Sequence, residues 1–268
     1  MRFLRLALAT CLLLLFFQTV AEAQTSLFDI PEDQQKTFAD IGVDAIYRET
    51  YVGSKKNELK ALPFIYAEFK GRVFINTALG AGAYAIRNEN FRIGGSVHYN
   101  LGRETEDTPL DGDAFDVDGG FAGVISSRVY TPIAAIDVIA NIPLTGDFDG
   151  YRIDTLVTTE LNPTKRLRVN PGIRATYHSG QFLDSLYGLS NGQIAATPRP
   201  TGSGIIALNF GSEISTLGAH VAAFLKIGEK FELVGVVNYS RLIGDVKGST
   251  LAPRKDGVTT AIAIARKF

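Results

Sequence analysis

The sequence predicts a transmembrane antiparallel up-and-down β-barrel. Three observations point there: a cleavable export signal, two-residue alternation repeated along the chain, and a final strand ending on an aromatic residue. The export signal occupies residues 1–23. Arg2 and Arg5 make a positive opening, an apolar run extends from Leu6 to Phe17, and Ala21-Glu22-Ala23 is a small-x-small cleavage site. The run falls short of the roughly 20 apolar residues of a spanning helix, so a removed signal peptide is expected rather than an anchor. The mature chain then begins at Gln24. Cys11 lies inside the run with leucines after it, the wrong place for a lipid-modified terminus. As the only cysteine, it leaves the exported chain without a disulfide framework or thiolate metal site. Losing Arg2, Arg5 and Glu22 brings the net charge to about −2, which argues against a nucleic-acid partner.

The last segment alternates strictly. Val258, Thr260, Ile262, Ile264 and Phe268 share one face; Thr259, Ala261, Ala263, Ala265 and Lys267 share the other. A closing strand with terminal Phe268 resembles the assembly signal read by barrel-insertion machinery, although Arg266 departs from the usual apolar residue there. The same period recurs upstream. In Phe91–Gly102, Phe91, Ile93, Val97, Tyr99 and Leu101 oppose Arg92, Ser96, His98 and Asn100. Tyr151–Leu161, Leu167–His178 and Phe231–Leu242 repeat it. A soluble antiparallel sheet also alternates. Two features favour a membrane barrel: several charges on the polar faces, suited to a wet lumen, and aromatic residues at the ends of the apolar faces, suited to interfacial girdles.

Parity sets the strand number. With both ends in the periplasm, the count is even. Short turns are expected at Gly71, Arg87–Asn90, Val129–Thr131, Asn162–Lys165 and Ile227–Lys230. Longer outer loops are expected at Tyr51–Ala61, Arg103–Ala114, Pro143–Asp149, Ser179–Thr216 and Ile243–Asp256. A strand on each side of Leu79-Gly80-Ala81-Gly82 gives twelve; if that stretch is only a bend, ten remain. Residues 24–38 read as a periplasmic lead-in and 39–268 as one barrel domain. The long Ser179–Thr216 insertion is expected to fold over or into the outer mouth.

Several short elements occur in the order found in the MipA/OmpV family of outer-membrane proteins, which the chain resembles along most of its exported length. They are Tyr51, Gly53 and Ser54; Leu62 and Pro63; Gly71, Arg72 and Phe74; Gly102 and Arg103 with the acidic stretch behind them; Tyr187 and Gly188; and Tyr239, Arg241, Leu242, Gly244 and Asp245. Gly146-Asp147-Phe148-Asp149-Gly150 stands where the family often has Gly-His-Asp-Gly. The resemblance implies an outer-membrane barrel with no catalytic site. It also implies a scaffold between a lytic transglycosylase and a peptidoglycan synthase, or a part in envelope adaptation. Lipopolysaccharide, outer-membrane lipid and the assembly machinery are the implied surroundings.

Chemistry-bearing residues are few. His98 with Ser96 and His178 with Ser179 were the candidates for a Ser–His pair, which a lipid-active enzyme would need. They face inward, whereas such a site must open to lipid, so lumen or rim histidines are the favoured reading; His220 reads likewise. Glu104, Glu106, Asp107, Asp111 and Asp113 crowd one outer loop. Carboxylates suit Ca²⁺ or Mg²⁺, but the spacing matches no calcium motif, so a solvated acidic loop is expected and no metal or cofactor is assigned. Arg103 or Arg241 is expected to pair with an acid such as Asp245. A non-catalytic scaffold, a narrow solute or ion channel and, last, a lipid-active enzyme remain as functions.

Overall fold

The protein is described here by a computed structural model covering residues 37–104, 107–108, 116–189 and 208–268. Twelve strands form one closed antiparallel barrel in sequence order, with β1 (Phe38–Glu49) sealed against β12 (Asp256–Lys267). Between them run β2 (Asn57–Phe69), β3 (Val73–Asn76), β4 (Gly80–Arg87), β5 (Phe91–Asn100), β6 (Gly120–Tyr130) and β7 (Ala135–Pro143). β8 (Arg152–Thr158), β9 (Leu167–His178), β10 (Glu213–Ile227) and β11 (Phe231–Leu242) complete the wall. Asp40 lies opposite Lys267, so the first and last strands share one end of the barrel. Short turns sit at this turn end; the long connections gather at the opposite, loop end.

The predicted faces hold. Ile41, Val43, Ile125, Ile173, Val237, Ile262 and Ile264 point outward and are exposed, as the lipid-facing side of such a wall requires. Tyr47, Phe121, Tyr151 and Tyr239 ring the loop end, and Phe69, Phe231 and Phe268 the turn end. Tyr99 meets Phe121 edge-on at 5.5 Å, and Tyr151 stacks on Tyr177 at 6.2 Å. Residues 1–23, expected as a signal peptide, and residues 24–36 of the expected lead-in lie outside the described residues.

Three boundaries differ from the sequence expectation. β2 starts at Asn57, inside the segment read as a loop to Ala61. β6 continues to Tyr130, and the next turn is closed by the Thr131 N–H on the Ala134 carbonyl at 2.8 Å. The third difference matters most. The β3–β4 turn falls at residues 77–79, ahead of Gly80–Gly82. Asn76 Oδ1 accepts from the N–H groups of Ala78 and Leu79 at 2.7 and 2.6 Å, a side-chain turn that ends β3 after four residues.

That early turn leaves a notch in the wall. β3 pairs with β2 only from Tyr66 to Phe69, and β4 pairs with β5 only up to Val97. Thr77 extends the contact slightly, its Oγ1 donating to the Pro63 carbonyl at 3.2 Å and accepting from the Ile65 N–H at 2.9 Å. Beyond it, residues 57–62 of β2 and 98–100 of β5 have no ladder partner on that side among the described residues. Pro63 stands where β2 becomes an edge, a position at which a missing N–H costs nothing.

The interior is not uniformly wet, contrary to the expectation from the charged faces. On the β10–β12, β1 and β2 side, Ile46, Phe64, Tyr66, Ala222, Phe224, Val234, Val236, Ala261, Ala263 and Ala265 form one buried apolar cluster. The small inward residues of β12 and β1 make room for the rings. Ala265 faces Gly42, and Gly42 faces Phe64 across the next pair. A Cβ on Gly42 would run into the Ile264 carbonyl. Alternation tells which side chains turn inward; only the register shows that these inward residues meet each other.

The other half of the wall is charged, and several of its charges are matched within it. Arg128 and Asp137, directly opposite on β6 and β7, make a two-pronged pair at 2.7 and 2.9 Å. Asp154 forms an ion pair with Arg152 at 2.9 Å and accepts from Arg174 at 2.5 Å and Thr176 at 2.8 Å. Glu68 is fully enclosed between Arg87 and the Tyr66 and Tyr84 hydroxyls. Asn141 joins Asn100 to His98. Charges buried this way persist because each is paired and hydrogen-bonded.

Candidate functional site

Five of the six loop-end connections converge into a plug. Its centre is α1 (Gly180–Tyr187), from the connection after β9. Ser179 starts the helix: its Oγ accepts from the Phe182 N–H at 3.3 Å and, on the other side, from the Tyr151 N–H at 2.9 Å. Phe182, Leu183, Leu186 and Tyr187 then fall on one helical face. Leu183, Tyr187, Leu189 and Phe210 pack with Tyr51 from the β1–β2 connection and with Leu242, Val246, Leu251 and Ala252 from β11–β12. Phe182 stacks on Phe148 at 5.2 Å and joins Val117, with Leu186 touching both clusters. Each such side chain contributes roughly 1.5–3 kcal/mol by leaving water, so the plug is a second small core.

Several of the residues singled out in the sequence, Tyr51, Arg103, Tyr187 and Leu242 among them, meet here from distant parts of the chain. The Tyr51 hydroxyl donates to the Leu251 carbonyl at 2.6 Å, and the Tyr187 hydroxyl to the Val52 carbonyl at 2.8 Å. Burial pushes the Tyr51 phenol up to about 12, against the opposing pull of the Arg103 charge. Arg103 is enclosed. It donates to the Leu186 carbonyl, lies 5.7 Å over the Tyr51 ring, and holds its strand to Val117 by two backbone bonds of 2.8 and 2.9 Å. Its pKa falls because burial disfavours the charged form. Ser54 donates to the Asp107 carbonyl at 3.1 Å. Gly53 has φ +93°, which a side chain rarely adopts, and its N–H reaches Glu49 at 3.1 Å. Gly188 returns its N–H to Asp184 at 2.9 Å to close α1, with Gly102 packed against Val117.

Arg241 does pair with an acid, but that acid is Asp256 and not Asp245. Arg241 faces Asp256 at 3.6 Å, with both side chains exposed, and the Tyr239 hydroxyl also donates to Asp256. The Asp245 and Val246 N–H groups are instead held by Glu213 at 2.8 and 3.0 Å. That carboxylate fills the space a Cβ on Gly244 would need. Arg241→Ala is therefore expected to change stability by less than about 0.5 kcal/mol. Urea unfolding in lipid vesicles measures it, and a larger loss would show that the pair fixes the loop.

The histidines are interior residues. His178 meets Ser215, not Ser179, through Nδ1 at 2.6 Å and stacks on Phe182. Ser215 is fully buried. His98 is bonded to Asn141 rather than Ser96, and His220 to Asn238. Glu106, Asp111 and Asp113 lie outside the described residues. Glu104 and Asp107, with Asp116 and Asp118, line a polar cleft of about 910 Å³ beside the notch, which Arg48, Lys56, Lys60 and Arg103 share. Burial raises the Asp107 pKa, opposed by Lys56. Among the described residues, no group of three possible metal ligands comes together. Sequence reasoning missed Glu213, Ser215 and Ser249, whose partners come from distant loops. α1 was readable: Ser179 followed by apolar residues at helical spacing is a helix-start signal.

Residues 41–268 match the family model described as MltA-interacting protein MipA. The chain belongs to the MipA family. No curated protein matches this MipA-family chain. Among solved structures it is similar to the CymD monoaromatic hydrocarbon channel, with 11% identity, a TM-score of 0.41, and coverage of 92% of this chain and 93% of that one. The Ralstonia pickettii toluene transporter TbuX gives 11% identity and a TM-score of 0.36 over 94% and 92% of the two chains. Neisserial surface protein A gives 8% and 0.27 over 86% and 95%. The barrel itself rests on the strand pairing of this MipA-family chain.

Proposed function

We propose that this MipA-family barrel is exported by cleavage after Ala23 and sits in the outer membrane of a Gram-negative envelope as a non-catalytic scaffold. Its turn end would face the periplasm and present a docking surface to a lytic transglycosylase and, through it, a peptidoglycan synthase. The observation that carries this reading is the plug. Five loops give their apolar side chains to closing the loop end, an arrangement suited to a rigid platform. The family description, which names a partner for its members, supports the same reading. Lipid and lipopolysaccharide would contact the apolar belt, and the assembly machinery would read the strand ending at Phe268. Photo-crosslinkers at the exposed turn-end residues Glu89 and Lys165 test the scaffold, with loop-end Asp147 as control. Recovery of a lytic transglycosylase from Glu89 or Lys165 alone is expected; recovery of no wall enzyme in native envelopes overturns it.

A second reading, passage of small solutes, is favoured by the notch and the polar cleft beside it. Discrete conductance steps from the wild-type barrel in planar bilayers would support this reading against the scaffold.

A further inference from the structure

The turn end opens into a vestibule of about 870 Å³ whose two walls differ in kind. One wall is the apolar half of the interior: Phe64, Tyr66, Phe224, Val234 and Ala265. The opposite wall carries Arg92 and Tyr130. Arg92 stands in the middle of a row. It is directly opposite Arg87 on β4 and directly opposite Arg128 on β6. Like charges facing across a sheet repel, and the two flanking arginines are each matched by an acid, Arg87 by Glu68 and Arg128 by Asp137. Arg92 is different. Its side chain is more than nine-tenths buried, and its Nε and Nη1 meet no acceptor among the described residues. Its guanidinium lies 5.1 Å over the Tyr130 ring, and the Tyr130 hydroxyl is also buried without a hydrogen-bond partner.

Arg92 and Tyr130 both line the vestibule, and three of their donor atoms are buried in its wall with nothing to receive them among the described residues. Burying guanidinium N–H groups away from any acceptor is costly, and an anion drawn to the vestibule offsets that cost. The vestibule also holds the acids Asp40, Glu89, Glu160 and Glu232. Glu232 is taken by Lys267 at 3.1 Å, and Glu160 accepts from Asn162 at 2.6 Å. Against the four acids stand six basic residues, Arg92, Lys165, Arg166, Arg168, Lys226 and Lys267, so the lining is net positive. Arg168 is spread over the Phe224 ring at 4.2 Å, where charge and apolar wall meet.

We propose that the vestibule binds an amphipathic organic anion: a carboxylate held by Arg92 and the Tyr130 hydroxyl, on an apolar body lying against Phe64, Phe224 and Val234. Charged donors at one end and an apolar bed at the other are what such a ligand needs, and the cavity is of ligand-binding size. The site is separate from the plug and does not depend on the scaffold reading.

The test is titration calorimetry on the purified protein in lipid nanodiscs, with empty nanodiscs as the blank. The probes are 4-phenylbutyrate, its neutral analogue 4-phenylbutan-1-ol, and inorganic phosphate. 4-Phenylbutyrate is expected to bind at least tenfold more tightly than either of the others. Arg92→Gln is expected to weaken it at least tenfold and Tyr130→Phe three- to tenfold, while Arg241→Ala leaves it unchanged. Folding of each variant is checked by heat-modifiable mobility on gels; should Arg92→Gln fail to fold, Arg92→Lys and Tyr130→Phe carry the comparison. No binding to the wild type at millimolar probe overturns the site. Equal affinity for the alcohol or for phosphate, or folded variants that bind as the wild type does, also overturns it.

Discussion

Replacing Arg103 by methionine will unlock the loop end of the barrel. The guanidinium supplies a donor to the Leu186 carbonyl at the last turn of α1 and a charge over the Tyr51 ring. Methionine fills similar space but offers neither. The buried carbonyl then goes unsatisfied, at about 1–3 kcal/mol, and the ring contact is lost, at about 1–2 kcal/mol. Release from burying a charge offsets part of this, so a local loss of about 2–3 kcal/mol is expected, a roughly 30- to 150-fold gain in the open population by the usual conversion. Limited proteolysis of the outer connections in intact vesicles should accelerate by that factor, while global urea unfolding moves little, because the wall is untouched. Unchanged cleavage rates would mean that the apolar cluster alone holds the plug.

Asp154→Ala strikes the wall itself. Asp154 is nearly fully buried; it is the ion-pair partner of Arg152 from its own strand and the acceptor of Arg174 and Thr176 from the next. Its removal leaves two enclosed guanidinium groups with their compensating carboxylate gone, a change worth about 3–5 kcal/mol. The urea midpoint in lipid vesicles should fall accordingly, with Asp154→Asn falling less, since the amide oxygen still accepts. The contrast with exposed Arg241 is the sharper check. Similar losses from both substitutions would mean that burial does not set the value of these ion pairs.

What the sequence made legible follows from range. β12 is read almost residue by residue, because alternation is local and its outward face, Val258 to Ile264, borders lipid along its length. The strand number depended on parity, and it held even though the turn expected over Leu79–Gly82 is set earlier, by Asn76, and shares only Leu79 with that stretch. A glycine-rich stretch invites a turn, but an Asn side chain that can mimic backbone ends the strand first. The plug was legible only as separate fragments. Tyr51, Arg103, Tyr187 and Leu242 gave no local sign of sharing one cluster, since nothing near any of them encodes the others. The apolar half of the interior was hidden for a related reason. A period of two puts Val234 and Val236 on the face of Glu232 and Asn238, but which residues they meet is a property of the register.

The early end of β3 has a consequence for the surrounding bilayer. A strand that crosses a membrane takes about 9–11 residues, and β3 supplies four. Around most of its circumference the barrel offers lipid a band of full height. At one meridian the band stops near Pro63, and the polar backbone of β2 begins. Acyl chains there cannot stay at full depth without meeting peptide groups, so the leaflet on that side must thin or tilt, at a cost of fractions of a kcal/mol per Å of mismatch. The barrel is thereby given a front and a back in the plane of the membrane, and two neighbouring copies would not be indifferent to which sides they turn toward each other.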